Sequence, residues 1–149
     1  MHICSRKESN VKDAVEMLAK KGLTVTGHVC NVGNVKDRQA MVAKIAAQHG
    51  GRLDVLVPNA AVSTHFGAQL EISEKAYDKL WDINVKSTFF LIKECLPMLK
   101  KSAAEGGAAN VMVVSSLTGK YPQPMIGVYA MTKAALDNMV TFMGKELMK

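Results

Sequence analysis

What this chain has little of narrows its function first. No apolar run approaches the roughly 18 residues a spanning helix needs, and no signal peptide opens the sequence, so a soluble protein is expected. Cysteine is sparse: Cys4, Cys30 and Cys95 lie far apart, odd in number and without metal-ligand spacing. That pattern reads as reduced, mostly buried thiols of an intracellular protein rather than a disulfide framework. His2, His28, His49 and His65 show no ligand spacing either, so no metal site is expected. The net charge is +6, from 19 basic and 13 acidic residues, with no Arg/Lys run and no interleaved aromatics, which argues against nucleic acid as a partner. Internal repeats and low-complexity linkers are also missing.

What is present is a hydrophobic content of 48% in 149 residues, enough for one domain with a real core. Strand-like and helix-like patterns alternate along it. Met1–Cys4 reads as a short strand. A helix from Ser9 carries Val11, Val15 and Leu18 and stops at Lys20-Lys21-Gly22. Leu23–Cys30 is a strand interrupted by Gly27. Asn34-Val-Lys-Asp37 resembles a capping box with Asp in place of Glu, opening a helix with Met41, Ile45 and Ala46 inward that ends at Gly50-Gly51. Asp54–Pro58 is a strand apolar enough in its middle to be buried on both faces, and Pro58 ends it. Val62–Ile72 is a loop with a helical turn around Phe66. Ser73 caps a long helix to about Leu99 that includes Leu80, Val85, Phe89 and Ile92. A surface loop over 100–109 leads to a buried strand, Asn110–Ser115, and a last helix runs to Lys149. Met139, Met143 and Met148 form a stripe on it that reads either as a partner-facing surface or, as is commoner at helical spacing, as ordinary core. Strand–helix alternation of this kind predicts a parallel α/β sheet with right-handed crossovers.

The chemistry concentrates between Ser116 and Lys133. Tyr129 and Lys133 are one helical turn apart and share a face. A phenol with pKa ~10 is a poor acid–base group at neutral pH, but a fixed cation beside it stabilises the phenolate. Ser116, at the end of the preceding strand, is placed to hold a carbonyl oxygen within the phenol's reach, and Lys133 to hydrogen-bond a ribose. A Tyr-x-x-x-Lys pair alone says little, since one turns up by chance in roughly one chain of this length in four. At the end of the first strand, Ser5-Arg6-Lys7 offers Arg6 where a doubly wound fold presents the adenosine ribose. Arginine there can pair with a 2′-phosphate, where an acidic residue would select NAD.

This combination resembles the short-chain dehydrogenase/reductase family over nearly the whole chain. Cys4-Ser-Arg-Lys7 and Val57-Pro-Asn-Ala-Ala-Val62 are similar to its peroxisomal NADP-dependent carbonyl and retinal reductases. The resemblance implies catalytic roles for Ser116, Tyr129 and Lys133, and for Asn84, in Asp82-Ile-Asn-Val-Lys86, which supports a water in a proton relay. It implies cofactor contacts at Ser5, Arg6, Asn31, Val32, Asn59, Ala60, Tyr129 and Lys133. Asn31 stands where the family commonly has an aspartate, Pro58 replaces the first asparagine of its Asn-Asn-Ala-Gly element, and Ala61 replaces the glycine.

The fold implied is a Rossmann-type doubly wound parallel sheet, with residues 1–149 a partial NAD(P)-binding domain. The sequence would supply strands two to five of the order 3-2-1-4-5-6. No Gly-x-Gly-x-x-Gly or Gly-x-x-x-Gly-x-Gly occurs in it to receive a pyrophosphate, so weak or no turnover is expected of these residues alone. The function implied is NADP(H)-dependent reduction of a small-molecule carbonyl, or oxidation of the alcohol, in proteins that form dimers or tetramers. The alternative is a truncated, non-catalytic product acting by subunit association. Cytosol is the expected compartment by default, and peroxisome if a targeting tripeptide replaced the Leu147-Met148-Lys149 end.

Overall fold

The computed structural model describes residues 1–147, and Met148, a member of the methionine stripe, lies outside them. The chain divides into two compact units. The first comprises Met1–Asp54 and Glu94–Ala109, the second Val55–Lys93 and Asn110 onward.

In the first unit, β1 (His2–Ser5) pairs in parallel with β2 (Thr26–Val29), placing His2 opposite Thr26 and Cys4 opposite His28. The helix between them, α1 (Glu8–Ala19), lies so close to β2 that a Cβ at Gly27 would meet the Val11 and Val15 side chains. The glycine that interrupts the strand pattern is therefore where helix and strand approach. Gly22, at φ 76°, closes α1 as expected.

Asn34 caps α2 (Val35–Gln48), its side-chain oxygen accepting from the amides of Lys36 and Asp37. The reciprocal half of the expected box is not made. The Asp37 carboxylate accepts instead from the Asn31 amide at 3.0 Å, and so braces the turn after β2. Arg38 on α2 is buried, and its guanidinium grips both carboxylate oxygens of Glu94 at 3.2 Å while donating to the Val32 carbonyl at 2.6 Å. Val11, Met41, Ile45, Cys95, Met98 and Leu99 are among the unit's core residues. Burial pushes the Cys30 thiol up to about 11 and that of Cys95 up to about 12, so both stay protonated. Cys4 is exposed. Three of the histidines stand in one hydrogen-bonded chain: His2 Nδ1 lies 2.9 Å from His28 Nε2, and His2 Nε2 lies 2.6 Å from His49 Nε2. Among the described residues no group of His, Cys, Asp or Glu is arranged to hold a metal ion.

In the second unit, β3 (Val55–Leu56) pairs in parallel with β4 (Asn110–Val111). The chains stay alongside beyond the ladder, with the Met112 amide donating to Leu56 and the Val114 amide to Pro58. Both strands are shorter than their apolar runs, and the expected burial is not met: Val55, Val57, Met112 and Val114 are exposed. A two-stranded ladder gives each strand one hydrogen-bonded neighbour and leaves much of it open to water.

Ser73 caps α3 (Glu74–Trp81) through the Ala76 amide. The expected single long helix is then broken by a π-helical turn, Asp82–Lys86, before resuming as α4 (Ser87–Ala104). This last helix passes from the second unit into the first at Glu94 and takes over part of the expected 100–109 loop. The turn expected around Phe66 forms later, as a 3-10 turn over Gln69–Glu71. A second 3-10 turn, Leu117–Gly119, follows β4, and α5 (Gly127–Leu147) begins before Tyr129. Leu80, Ile83, Leu91, Ile92, Val128 and Leu136 make the unit's core. Among the described residues no helix is long and apolar enough to cross a membrane.

Candidate active site

The segment leaving β4 is held against the first turns of α5 at three points. Lys133 Nζ donates to the Val114 carbonyl at 2.8 Å, and the Ser115 hydroxyl donates to the Lys133 carbonyl at 3.2 Å. At Gly119 the two backbones nearly touch: an added Cβ would lie 2.9 Å from the Ala134 amide nitrogen and 3.1 Å from the Lys133 carbonyl carbon. Ser116 sits within this clamped stretch. Its Oγ caps the 3-10 turn, accepting from the Thr118 amide at 3.3 Å and the Thr118 hydroxyl at 2.9 Å. The hydroxyl hydrogen of Ser116 has no acceptor among the described residues, so it remains available to an outside oxygen.

Tyr129 and Lys133 share a face of α5 as the spacing predicts, with Lys133 Nζ 5.6 Å from the centre of the Tyr129 ring. Tyr129 is half-buried, whereas Lys133 is only 2% exposed. Burial draws the Lys133 ammonium below the usual lysine pKa, and the Asp137 carboxylate pulls part of the way back. The Val114 carbonyl takes one of three ammonium hydrogens. An open groove of about 600 Å³ runs past Val113, Lys120, Asp137 and Thr141, but Ser116, Tyr129 and Lys133 do not line it.

Asn84 lies inside the π turn, 0% exposed. Its Oδ1 accepts from the Val62 amide at 2.8 Å, and its Nδ2 donates to the Val62 carbonyl and to Thr132 Oγ1, both at 3.0 Å. The widened turn sends the Ser87 amide back to Asp82, while the Ser87 and Thr88 hydroxyls serve the carbonyls of Ile83 and Asn84. Asn59 and Ala60, earlier in the Val62 loop, are exposed, and no hydrogen bond engages the Asn59 side chain among the described residues. Bracing of this loop falls to Asn84. Val62, Val114 and Thr132 hold the site residues in place, and no motif marks them in the sequence.

The remaining expected residues belong to the first unit. Ser5 ends β1, and Arg6 follows it exposed, without an ion pair among the described residues. After β2, Asn31 turns its Oδ1 to the Gly33 amide at 3.2 Å, and Val32 is buried.

The short chain dehydrogenase family matches residues 1–149 from end to end. The chain belongs to that family. Dehydrogenase/reductase SDR family member 4 of Bos taurus is 40% identical over 145 residues, 97% of this chain and 50% of that protein. The chain thus spans about half the length of the curated relatives it matches. Among solved structures, the 3-ketoacyl-(acyl-carrier-protein) reductase of Brucella melitensis, complexed with NADH, superimposes with a TM-score of 0.90 over 98% of this chain and 59% of its own, at 18% identity. The RhlG/NADP active-site complex of Pseudomonas aeruginosa gives 0.87 over 99% of this chain and 57% of its own, at 28% identity. The family's fold is the Rossmann-type α/β arrangement, of which the described residues supply two parallel pairs of strands. They are β1–β2 and β3–β4.

Proposed function

We propose that the chain carries the proton-transfer half of an NADP(H)-dependent carbonyl reductase acting on small ketones, aldehydes or retinal-like carbonyls, and on alcohols in reverse. The observation that carries this reading is the buried Lys133 ammonium, tethered to Val114 and facing the Tyr129 ring. Ser116 would hold the carbonyl oxygen with its uncommitted O–H. Tyr129 would give its proton to that oxygen, and the charge on Lys133 would steady the phenolate left behind. Asn84, whose Oδ1 accepts from the Val62 amide and whose backbone carbonyl accepts from the Thr88 hydroxyl, would support the water that returns protons to the site, as the family resemblance implies.

The residues present suit the cofactor. In the first unit, the unpaired Arg6, with Ser5 beside it and no acidic residue at positions 5–7, suits a 2′-phosphate, and Asn31 and Val32 would meet the adenine. In the second, Asn59, Ala60, Tyr129 and Lys133 would meet the nicotinamide ribose, to which Lys133 still offers two N–H donors. The chemistry NADPH supplies when bound is hydride donation to the carbonyl carbon. RhlG, solved with NADP, favours this cofactor, and member 4, named a dehydrogenase/reductase, favours the reaction class.

The test is NADPH oxidation with an aromatic ketone, comparing the wild-type chain with Tyr129→Phe. Any ketone-dependent oxidation should vanish in the variant, and full activity there would remove the reductase reading. A second reading is favoured by Phe89, Phe90, Met131 and Phe142, all exposed on α4 and α5: association with another subunit without catalysis. Co-expression with a complete relative, followed by size exclusion, separates the two. Mixed oligomers without added activity would favour association.

A further inference from the structure

Thr132 stands between the proposed proton donor and its cation, yet it is 0% exposed, as dry as Asn84. Its hydroxyl donates to the Tyr129 carbonyl at 2.6 Å and accepts from Asn84 Nδ2 at 3.0 Å. The other Asn84 N–H goes to the Val62 carbonyl, and Oδ1 takes the Val62 amide. A carboxamide has two N–H donors and one oxygen, and here each has a partner. The orientation of that carboxamide is also set by its neighbours. The Val62 N–H must meet the oxygen, and the Thr132 hydroxyl, having given its hydrogen to a carbonyl, can only accept. A hydrogen-bonded line of one polarity therefore runs from the Val62 amide, through Asn84 and Thr132, to the carbonyl of Tyr129.

We propose that Thr132 is a positioning residue: its hydroxyl fastens the Val62–Asn84 clasp to the helical turn that presents Tyr129 and Lys133. Its relevance to turnover rests on the reading of Tyr129 as proton donor. The parts it joins need fastening. The Val62 loop has no ladder, and a π turn is wound more loosely than the helices on either side of it. Helical hydrogen bonding already sets the internal geometry of α5, whereas the Asn84–Thr132 bond sets where the π turn stands against it. Taking away that acceptor leaves one N–H of a fully buried carboxamide without a partner, so the clasp must reorganise to find another.

Thr132→Val keeps the shape of the side chain and removes the acceptor, and Thr132→Ser restores it. Amide exchange at Val62, followed by NMR in the cofactor-free chain, should quicken about tenfold in the valine variant and return to the wild-type rate in the serine variant. The Tyr129 ring resonances should shift in the valine variant alone. In turnover, kcat should fall by about ten- to a hundredfold in the valine variant with KM for the ketone unchanged, and recover in the serine variant. Unchanged Val62 exchange in Thr132→Val overturns the proposal, and so does quickened exchange with an unaltered kcat. If the wild-type chain reduces no ketone at all, the weak or absent turnover expected of these residues alone is met, and the kinetic arm does not bear on the clasp. Exchange at Val62 and the Tyr129 resonances then still decide whether Thr132 fastens the clasp.

Discussion

Lys133 Nζ and the carbonyl oxygen of Val114 are 2.8 Å apart, and that hydrogen bond ties the end of the β4 segment to the turn of α5 bearing Tyr129. A lysine used only for its charge would not need so fixed an anchor. Lys133→Met should therefore remove two things together, the cation beside the phenol and the tether. The expected result is loss of detectable ketone reduction, with a lowered urea midpoint. Lys133→Arg should not rescue activity, because a planar guanidinium does not fit a slot made for one tethered ammonium.

Asp137 gives a second handle on that ammonium. Burial depresses the Lys133 pKa and the Asp137 carboxylate raises it. Asp137→Asn should therefore depress it further, so that the lysine loses its proton at lower pH. The alkaline limb of a pH–rate profile should move toward neutrality in this variant. An unmoved limb would mean that Lys133 does not govern it.

Gly119 tests the close approach of the 3-10 turn to α5. A methyl group here meets backbone on both sides, which cannot rotate away. Gly119→Ala should cost about 1–3 kcal/mol in urea unfolding and displace Ser116 from its place. Turnover should fall more than stability alone accounts for.

Much of both units was legible because the signals are local. Ser73 and Asn34 cap the helices they were expected to cap, since an N-cap needs only amides two or three residues on. Tyr129 and Lys133 share a face because one turn of helix places them there. The π turn was not legible. A run read as one unbroken helix carries an extra residue over Asp82–Lys86, and of the apolar residues named along it Leu80 and Ile92 are buried while Phe89 is exposed. Thr132 looked like any helix threonine, because its role depends on Val62 and Asn84, which reach it only through tertiary packing. The strand runs at 54–58 and 110–115 overstated burial, since an apolar run reports what a strand could bury and not how many neighbours it has.

In the first unit the Arg38–Glu94 pair predicts the largest single loss of stability. Arg38 lies among core residues with both carboxylate oxygens of Glu94 in its grip. Glu94→Gln takes this carboxylate from a buried guanidinium and should cost about 3 kcal/mol, whereas Arg38→Met leaves Glu94 only part-buried and should cost less. A double variant should cost less than the sum, and the coupling is measurable as a double-mutant cycle in urea.

The histidine chain predicts an acid response. Burial, then the charges of His28 and His49, hold the His2 pKa below its ordinary 6.5, so the folded chain favours the neutral ring. As pH falls below 6.5 the unfolded chain binds protons that the folded one resists, and stability drops until the folded-state pKa is passed. Unfolding midpoints at pH 7.5, 6 and 5 should decline in the wild type and decline less in His2→Val. Equal slopes would remove His2 as the cause.

The same chain carries a subtler constraint. Each N···N contact needs one hydrogen and one lone pair, so three neutral imidazoles can satisfy both contacts in only two ways, each the reverse of the other. If His28 donates to His2, then His2 must donate to His49; if His49 donates, every tautomer reverses. No single ring can change its tautomer without breaking a contact, so the three tautomers reverse together, from His28 on β2 through His2 on β1 to His49 at the end of α2.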